Sequence, residues 1–293
     1  MLDDIRCVSP VSDICGEGVV WHPEHQDVYW TDINRFLIHR MNLEDASTQT
    51  WIFHEPVTAL NLTTDPDRLL VVFASCVALW SPRSHPRVEK IFHLPTAPQM
   101  RLNDARVDPR GSLWAGTMQN NVGPQGEDLE VTFADGVLYR IDPDGFSSEW
   151  KRGIGISNTV AWSPDGATFY FGDSMANAIY RYRFDSATGK IEGEAPFLVG
   201  YERGHPDGSV VDTDGFLWNT RPNTGCLIRI SPQGHVCRIV NLPIAKPTTC
   251  IFGGADLKTL YVTSARSSEE LSGGLFALQT EVGGLPPGRF RLL

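Results

Sequence analysis

Apolar and polar positions along this chain alternate in short runs, and each run is broken by a Pro/Asp/Gly turn and resumed by an aromatic-rich run. Val211-Asp-Thr-Asp-Gly-Phe-Leu-Trp218 is one such segment, and Trp162-Ser-Pro-Asp-Gly-Ala-Thr-Phe-Tyr-Phe171 is another. The same order starts at Trp21, Leu62, Val107, Trp162, Val211 and Phe252, at spacings of 41 to 55 residues. Each copy reads as a β-hairpin, an apolar strand end followed by turn chemistry and a second strand. Several copies continue into a further alternating strand, at 37–42, 136–142, 179–185, 226–231 and 274–278. Repeats of this length mark propeller blades or another array, and no long amphipathic helical period is present to suggest a helical solenoid. The expected fold is all-β: residues 1–293 as a single six-bladed β-propeller of four-stranded antiparallel blades around a central channel. Two stacked sandwiches fit six in-phase turns less well. Such a ring needs its ends stitched together, and either 5–8 or 289–293 has the composition to supply the closing strand.

Composition narrows the partners. The chain carries a formal net charge of −10 and an isoelectric point near 5.2. That balance argues against a broad nucleic-acid surface or an anionic-membrane surface, and leaves small molecules as the expected partners. The start, Met-Leu-Asp-Asp-Ile-Arg-Cys7, shows no basic-then-apolar leader, and no apolar run approaches the roughly 20 residues of a spanning helix. The six cysteines form no C-x-x-C pair and each sits among apolar or strand-like residues. Reduced, buried thiols in a cytoplasmic protein are expected, with no cysteine zinc site.

The segments leading into the repeats carry the candidate chemistry, because propellers place function on connections at one end of the channel. Four lead-ins hold polar residues where a strand prefers apolar ones: Glu17 between two glycines, the cluster Arg101-Leu-Asn103-Asp104-Ala-Arg106, Asn158, and Asp207 between Pro206 and Gly208. Singly, each can be a cap or turn for its own backbone, the favoured reading for Asn158 and an even one for Glu17. Equivalent placement at one end of different blades favours a shared site. Two carboxylates converging on one axis repel unless a cation lies between them. Glu17, Asn158 and Asp207 would give one divalent ion three oxygen ligands and two negative charges. Such a set suits Ca²⁺, Mg²⁺ or Mn²⁺ and can admit Zn²⁺ or Fe²⁺. His22, His25 and His39 have no ligand spacing and read as surface or turn residues. Arg221 reads as either reaching the channel mouth or lying solvated in a loop. The polar stretch 119–128 reads as a lid or a surface insertion.

At these residues the sequence resembles the senescence marker protein/gluconolactonase/luciferin-regenerating enzyme family of six-bladed propellers. The resemblance runs from Gly16 to about Gly274. It rests on Gly16-Glu17-Gly18-Val-Val-Trp21, Arg101-Leu-Asn103-Asp104 with Gly116-Thr-Met118, Ile156-Ser-Asn158, Pro206-Asp207-Gly208 and Leu260-Tyr-Val-Thr-Ser-Ala-Arg266. It implies a metal on Glu17, Asn158 and Asp207, a substrate pocket lined by Arg101 and Asn103, and hydrolysis of a sugar lactone to its aldonic acid, with the bacterial sugar-lactonase branch nearest. The chain departs from the family pattern at Asn219–Thr224, which is bulkier and more polar, and in the loop after Met118, where Glu127 and Glu130 receive no role.

The expected mechanism follows. The ion polarises the lactone carbonyl as water attacks, and Arg101 and Asn103 orient the sugar. Asp207 is either the general base or a ligand only, since coordination lowers a carboxylate's basicity. Two other readings share the metal logic: a calcium- or ligand-binding propeller without turnover, and an esterase or phosphotriesterase. The presence of Arg101 and Asn103 beside the ligand set favours an enzyme over the binding-only reading, and a comparison of aryl esters and organophosphates with sugar lactones separates the third.

Overall fold

Each of the six turns read from the sequence joins the first and second strands of a blade. The protein is described here by a computed structural model covering residues 4–83 and 85–293. Strand β1 (Ile5–Ser9) opens the chain. The first blade is β2 (Gly16–His22), β3 (Asp27–Asp32), β4 (Leu37–Asn42) and β5 (Thr48–Ile52). The second is β6 (Val57–Thr63), β7 (Leu69–Phe73), β8 (Cys76–Ser81) and β9 (His85–His93). The third is β10 (Met100–Val107), β11 (Leu113–Gln119), β12 (Gly136–Ile141) and β13 (Ser147–Ile154). The fourth is β14 (Ser157–Trp162), β15 (Thr168–Asp173), β16 (Ala178–Asp185) and β17 (Lys190–Val199). The fifth is β18 (Ser209–Val211), β19 (Leu217–Arg221), β20 (Cys226–Ile230) and β21 (Val236–Asn241). The sixth has β22 (Pro247–Gly253), β23 (Thr259–Ser264) and β24 (Leu275–Gln279), and β25 (Arg289–Phe290) ends the chain. The architecture is a six-bladed β-propeller, and no α-helix occurs among the described residues.

Closure comes from the N-terminus. β1 pairs antiparallel with β24, Ile5 opposite Leu278 and Cys7 opposite Phe276, so the sixth blade gains its outer strand from the start of the chain. The C-terminal strand does something else. β25 adds in parallel to the inner edge of β6, Arg289 opposite Leu62.

Six apolar clusters hold the ring, each filled by two neighbouring blades. Trp114 and Leu138 of the third blade pack with Val160 and Phe169 of the fourth; Val19 and Trp30 of the first pack with Ile251 and Tyr261 of the sixth. Both faces of a blade are therefore buried, which is why the inner strands read as nearly continuous apolar runs. The repeated turns have a common fastening. Asp212 Oδ1 accepts the backbone N–H of Asp214 and Phe216 at 3.0 and 2.9 Å, and its Oδ2 accepts the Trp218 indole at 2.9 Å. Asp108 does the same for Arg110, Ser112 and the Trp114 indole. One buried carboxylate thus closes the turn and pins the tryptophan that fills the next interblade space.

Several sequence expectations change. His22 and His39 are buried rather than superficial: His22 Nε2 bonds the Pro66 carbonyl, and His39 lies between Thr50 and Asp13. All six cysteines are free, but Cys237 is exposed, because the outermost strand β21 has no neighbour on its far side. No helix among the described residues is long and apolar enough to cross a membrane.

Candidate metal and substrate site at the channel mouth

An even number of antiparallel strands returns every blade to the same end, so all innermost strands start at one mouth of the channel, here the upper one. Glu17 is the second residue of β2, Asn158 the second of β14, and Arg101 and Asn103 the second and fourth of β10. Asp207 lies two residues before β18. Local irregularity aims these side chains. The register with the second strand slips between Glu17 and Val20, between Leu102 and Ala105, and between Asn158 and Val160. A bulge of this kind turns an extra side chain out of the ladder. In β2 the bulge uses Gly18 at φ +58°, where a Cβ would lie 2.9 Å from the Ala59 Cα. In β14 the corresponding residue is Thr159 at φ +53°, a strained setting for a β-branched side chain.

Hydrogen bonds tie the candidates into one chain. Arg101 Nη1 donates to Asn103 Oδ1 at 2.5 Å and to the Leu102 carbonyl at 3.0 Å. Asn103 Nδ2 donates to Asn158 Oδ1 at 3.1 Å and to the Ser157 carbonyl at 2.7 Å. Asn158 Nδ2 donates to Ser174 Oγ at 2.8 Å, and Ser174 in turn donates to the Pro206 carbonyl, one residue from Asp207. Thr159 Oγ1 donates to the Asp207 carbonyl at 2.6 Å, and Asn219 Nδ2 donates to the same oxygen at 3.0 Å. Arg101, Asn103 and Asn158 are 5, 8 and 6% exposed, whereas Glu17 and Asp207 keep partial exposure.

The electrostatics are those of crowded acids. Burial pushes the Glu17 carboxyl from 4.5 up to about 8, with the Asp104 charge adding to the shift and Arg106 and Arg101 opposing it. Burial, then the Glu17 and Asp104 charges, raise Asp207 well above its ordinary range. Burial likewise brings Arg101 down to about 10, a fall that Cys15, Glu17 and Asp207 oppose. Asp104 is the group that sequence reasoning left without a role. Its Oδ2 accepts the Val160 N–H at 3.3 Å, filling the gap that the β14 bulge leaves in the ladder.

Among the described residues no three His, Cys, Asp or Glu side chains are arranged to hold a metal. The expected set reaches three donors only through the Asn158 amide. Its chemistry nevertheless suits a hard divalent cation: oxygen donors only, two carboxylates whose charged forms are disfavoured without a counter-charge, and, for Glu17, a single described hydrogen bond, from the Gly18 N–H at 3.0 Å.

Two uncertain segments take definite places. Arg221 neither lines the mouth nor lies in solvent. It is 1% exposed, donates to the Gly204 carbonyl at 3.2 Å and stacks on Tyr201, bracing the loop that carries Asp207. The loop after β11 crosses to the first blade, where Asn34 Nδ2 holds the Gly126 carbonyl at 2.8 Å and Asp128 Oδ1 at 2.9 Å. Its near end touches the site, since Asn121 Oδ1 accepts from Arg101 Nε at 2.8 Å.

Comparison with known proteins agrees with the fold. The "SMP-30/Gluconolactonase/LRE-like region" family model matches residues 15–266. The 6-deoxy-6-sulfogluconolactonase of Pseudomonas putida is 33% identical, covering 97% of each chain. The pentonolactonase of Haloferax volcanii is 30% identical over 94% of each. The solved structure described as a calcium-binding protein, regucalcin, from Agrobacterium tumefaciens superposes with a TM-score of 0.91 at 27% identity, covering 100% of this chain and 99% of that one. The chain is thus a member of the SMP-30/gluconolactonase/luciferin-regenerating enzyme-like family.

Proposed function

We propose that this protein is a lactonase that opens a sugar lactone to its aldonic acid, with a divalent cation bound by Glu17, Asn158 and Asp207. The observation that carries the reading is the bonded chain Arg101–Asn103–Asn158 beside two charge-crowded carboxylates, in a chain similar over nearly its whole length to proteins named for sugar-lactone hydrolysis.

When bound, the cation supplies electrophilic polarisation of the lactone carbonyl. Arg101 provides orientation. Its Nε and Nη1 are committed to Asn121, Asn103 and Leu102, leaving Nη2 to donate to a lactone oxygen. A pKa near 10 keeps it cationic at neutral pH. Asn103 has both its donor bonds and its acceptor committed to protein, so it fixes Arg101 relative to Asn158. Asp207 accepts the proton of the attacking water and returns it to the ring oxygen as the acyl–oxygen bond breaks. Water adds to the carbonyl carbon, the ring oxygen leaves as the alcohol, and the aldonic acid then releases a proton at neutral pH.

That released proton is the assay. A pH-indicator screen of gluconolactone, xylonolactone and arabinolactone with Ca²⁺, Zn²⁺, Mn²⁺, Mg²⁺ or Fe²⁺, each repeated after chelation, should show turnover that disappears with the metal. Full-rate hydrolysis by the chelated protein would falsify the reading. Tight cation binding with no turnover across the panel would favour a calcium-binding role, the one named for the Agrobacterium structure.

A further inference from the structure

We propose that the lower half of the channel is a second ligand site, taking an amphipathic organic anion whose apolar body lies between the innermost strands and whose carboxylate or sulfonate meets Arg106. A cavity of about 420 Å³ occupies this region, a size that holds a small organic molecule. Every blade gives it an apolar wall: Val19, Leu60, Val107, Val160, Val211 and Ile251. None of Glu17, Arg101, Asn103, Asn158 or Asp207 lines it. It opens at the opposite end from the candidate site, because the turn Ser163–Gly166, which follows the last residue of β14, forms part of its rim. From Asn158 to Trp162 that strand advances roughly 13 Å.

The floor and the charge are both built features. The C-terminal segment crosses the lower mouth and contributes Leu285 and its neighbours to the wall. It is tied to four blades: the Gly284 N–H donates to Leu257, Gly283 accepts from Thr213, the Arg291 N–H donates to Gly111, and β25 pairs with β6. Arg106 is the one basic residue in the lining, against Asp165 at the rim. Its side chain is 14% exposed and its guanidinium weakly committed. It reaches Asp104 Oδ1 at 3.8 Å, the Ala105 carbonyl at 3.4 Å and Thr249 Oγ1 at 3.5 Å, all at the long limit of such contacts. An anion entering from below would give this mostly buried cation its first short partner.

The probe is 8-anilino-1-naphthalenesulfonate, titrated by fluorescence into the native protein in excess gluconate. One saturable site per chain, undisturbed by gluconate, is expected. Leu285→Trp, on a partly exposed segment, should fill the floor and weaken binding by about tenfold or more, as overpacking does. Arg106→Gln should weaken the sulfonate by about tenfold through loss of a charge-assisted contact, while uncharged N-phenyl-1-naphthylamine still binds. Circular dichroism and the thermal midpoint report whether each variant is folded. Absence of a saturable site, displacement by gluconate, or full affinity in folded Leu285→Trp would each overturn the proposal.

Discussion

Replacing Glu17 by glutamine should make the metal-free protein more stable at alkaline pH, although it removes a proposed ligand. The carboxyl titrates at about 8 in the native state instead of 4.5, because it is buried and faces the Asp104 charge. Between those values the native state holds a proton that the unfolded chain has lost, so stability falls as pH rises from 4.5 to 8 and levels off above. At 1.36 kcal/mol per pH unit the full effect is on the order of 5 kcal/mol, and partial exposure of Glu17 reduces it to about 2 kcal/mol. An unfolding entropy of about 2.1 cal/mol/K per residue converts that to a midpoint about 3 °C higher in the variant. Asp207 adds to the gain, since the Glu17 charge is among the causes that raise it.

The assay is differential scanning calorimetry of chelated wild type and Glu17→Gln from pH 5 to 9. The two midpoints should be close at pH 5 and separate steadily towards pH 8.5. Adding the activating cation at pH 8 should stabilise the wild type and do much less for the variant, because only the wild type has the second carboxylate to neutralise. Parallel profiles, or a variant less stable than wild type at pH 8.5, would show that Glu17 is compensated by something other than a cation.

Other residues give separate tests. Arg101→Ala should retain the metal by isothermal titration while kcat/KM for the best lactone falls about 10²-fold, the scale of a lost oriented charge; loss of metal would make its role structural. Thr159→Val removes the hydroxyl bonds to the Asp207 carbonyl and Ser209 while keeping the positive φ. It should weaken metal binding and lower stability by about 2 kcal/mol in urea titration. Asp212→Ala strands the Trp218 indole, two turn amides and the Arg229 guanidinium, so about 3–5 kcal/mol should be lost in the same measurement. Asn34→Ala frees the far end of the loop after β11, and limited proteolysis should then cut within residues 120–130 faster than in wild type.

What the sequence made legible was local chemistry. The Asp212 and Asp108 turns are encoded within a few residues, carboxylate, glycine and tryptophan at fixed offsets, so the blade count could be read directly. Roles that depend on a partner from another blade were hidden. Asp104 looked like any member of a polar cluster, and only the fold brings it to the Val160 N–H. His39 read as a surface or turn residue, and Arg221 as reaching the channel mouth or solvated in a loop, because their partners, Asp13 for the one and Gly204 and Asn177 for the other, come from distant stretches. The 289–293 segment had strand composition, which says nothing about parallel addition to β6 as against closure of the sixth blade.

The bulges explain why one channel has two chemistries. Above the slip in β2 stands Glu17, and below it Val20; above the slip in β14 stands Asn158, and below it Val160. In β10, Asn103 and Asp104 fall inside the slip and Val107 lies in the regular ladder beneath it. β6 and β22 slip at the same level, between Val57 and Ala59 and between Pro247 and Cys250. In the regular part of a strand, side chains alternate onto the two blade faces, which are packed against neighbours and therefore apolar. At the slip that alternation breaks, and side chains turn towards the axis without leaving a hole between blades. Polar residues are tolerated there because they bond one another across blades, as Asn103 bonds Asn158 and Thr159 bonds Asp207. Asp207 stands above a similar irregularity before β18: its N–H donates to the Thr220 carbonyl at 3.1 Å and the Thr220 N–H donates to the Gly208 carbonyl at 3.1 Å, while Ser209 opposite Asn219 begins the regular ladder. The position of the site is thus a consequence of where the ladders fail.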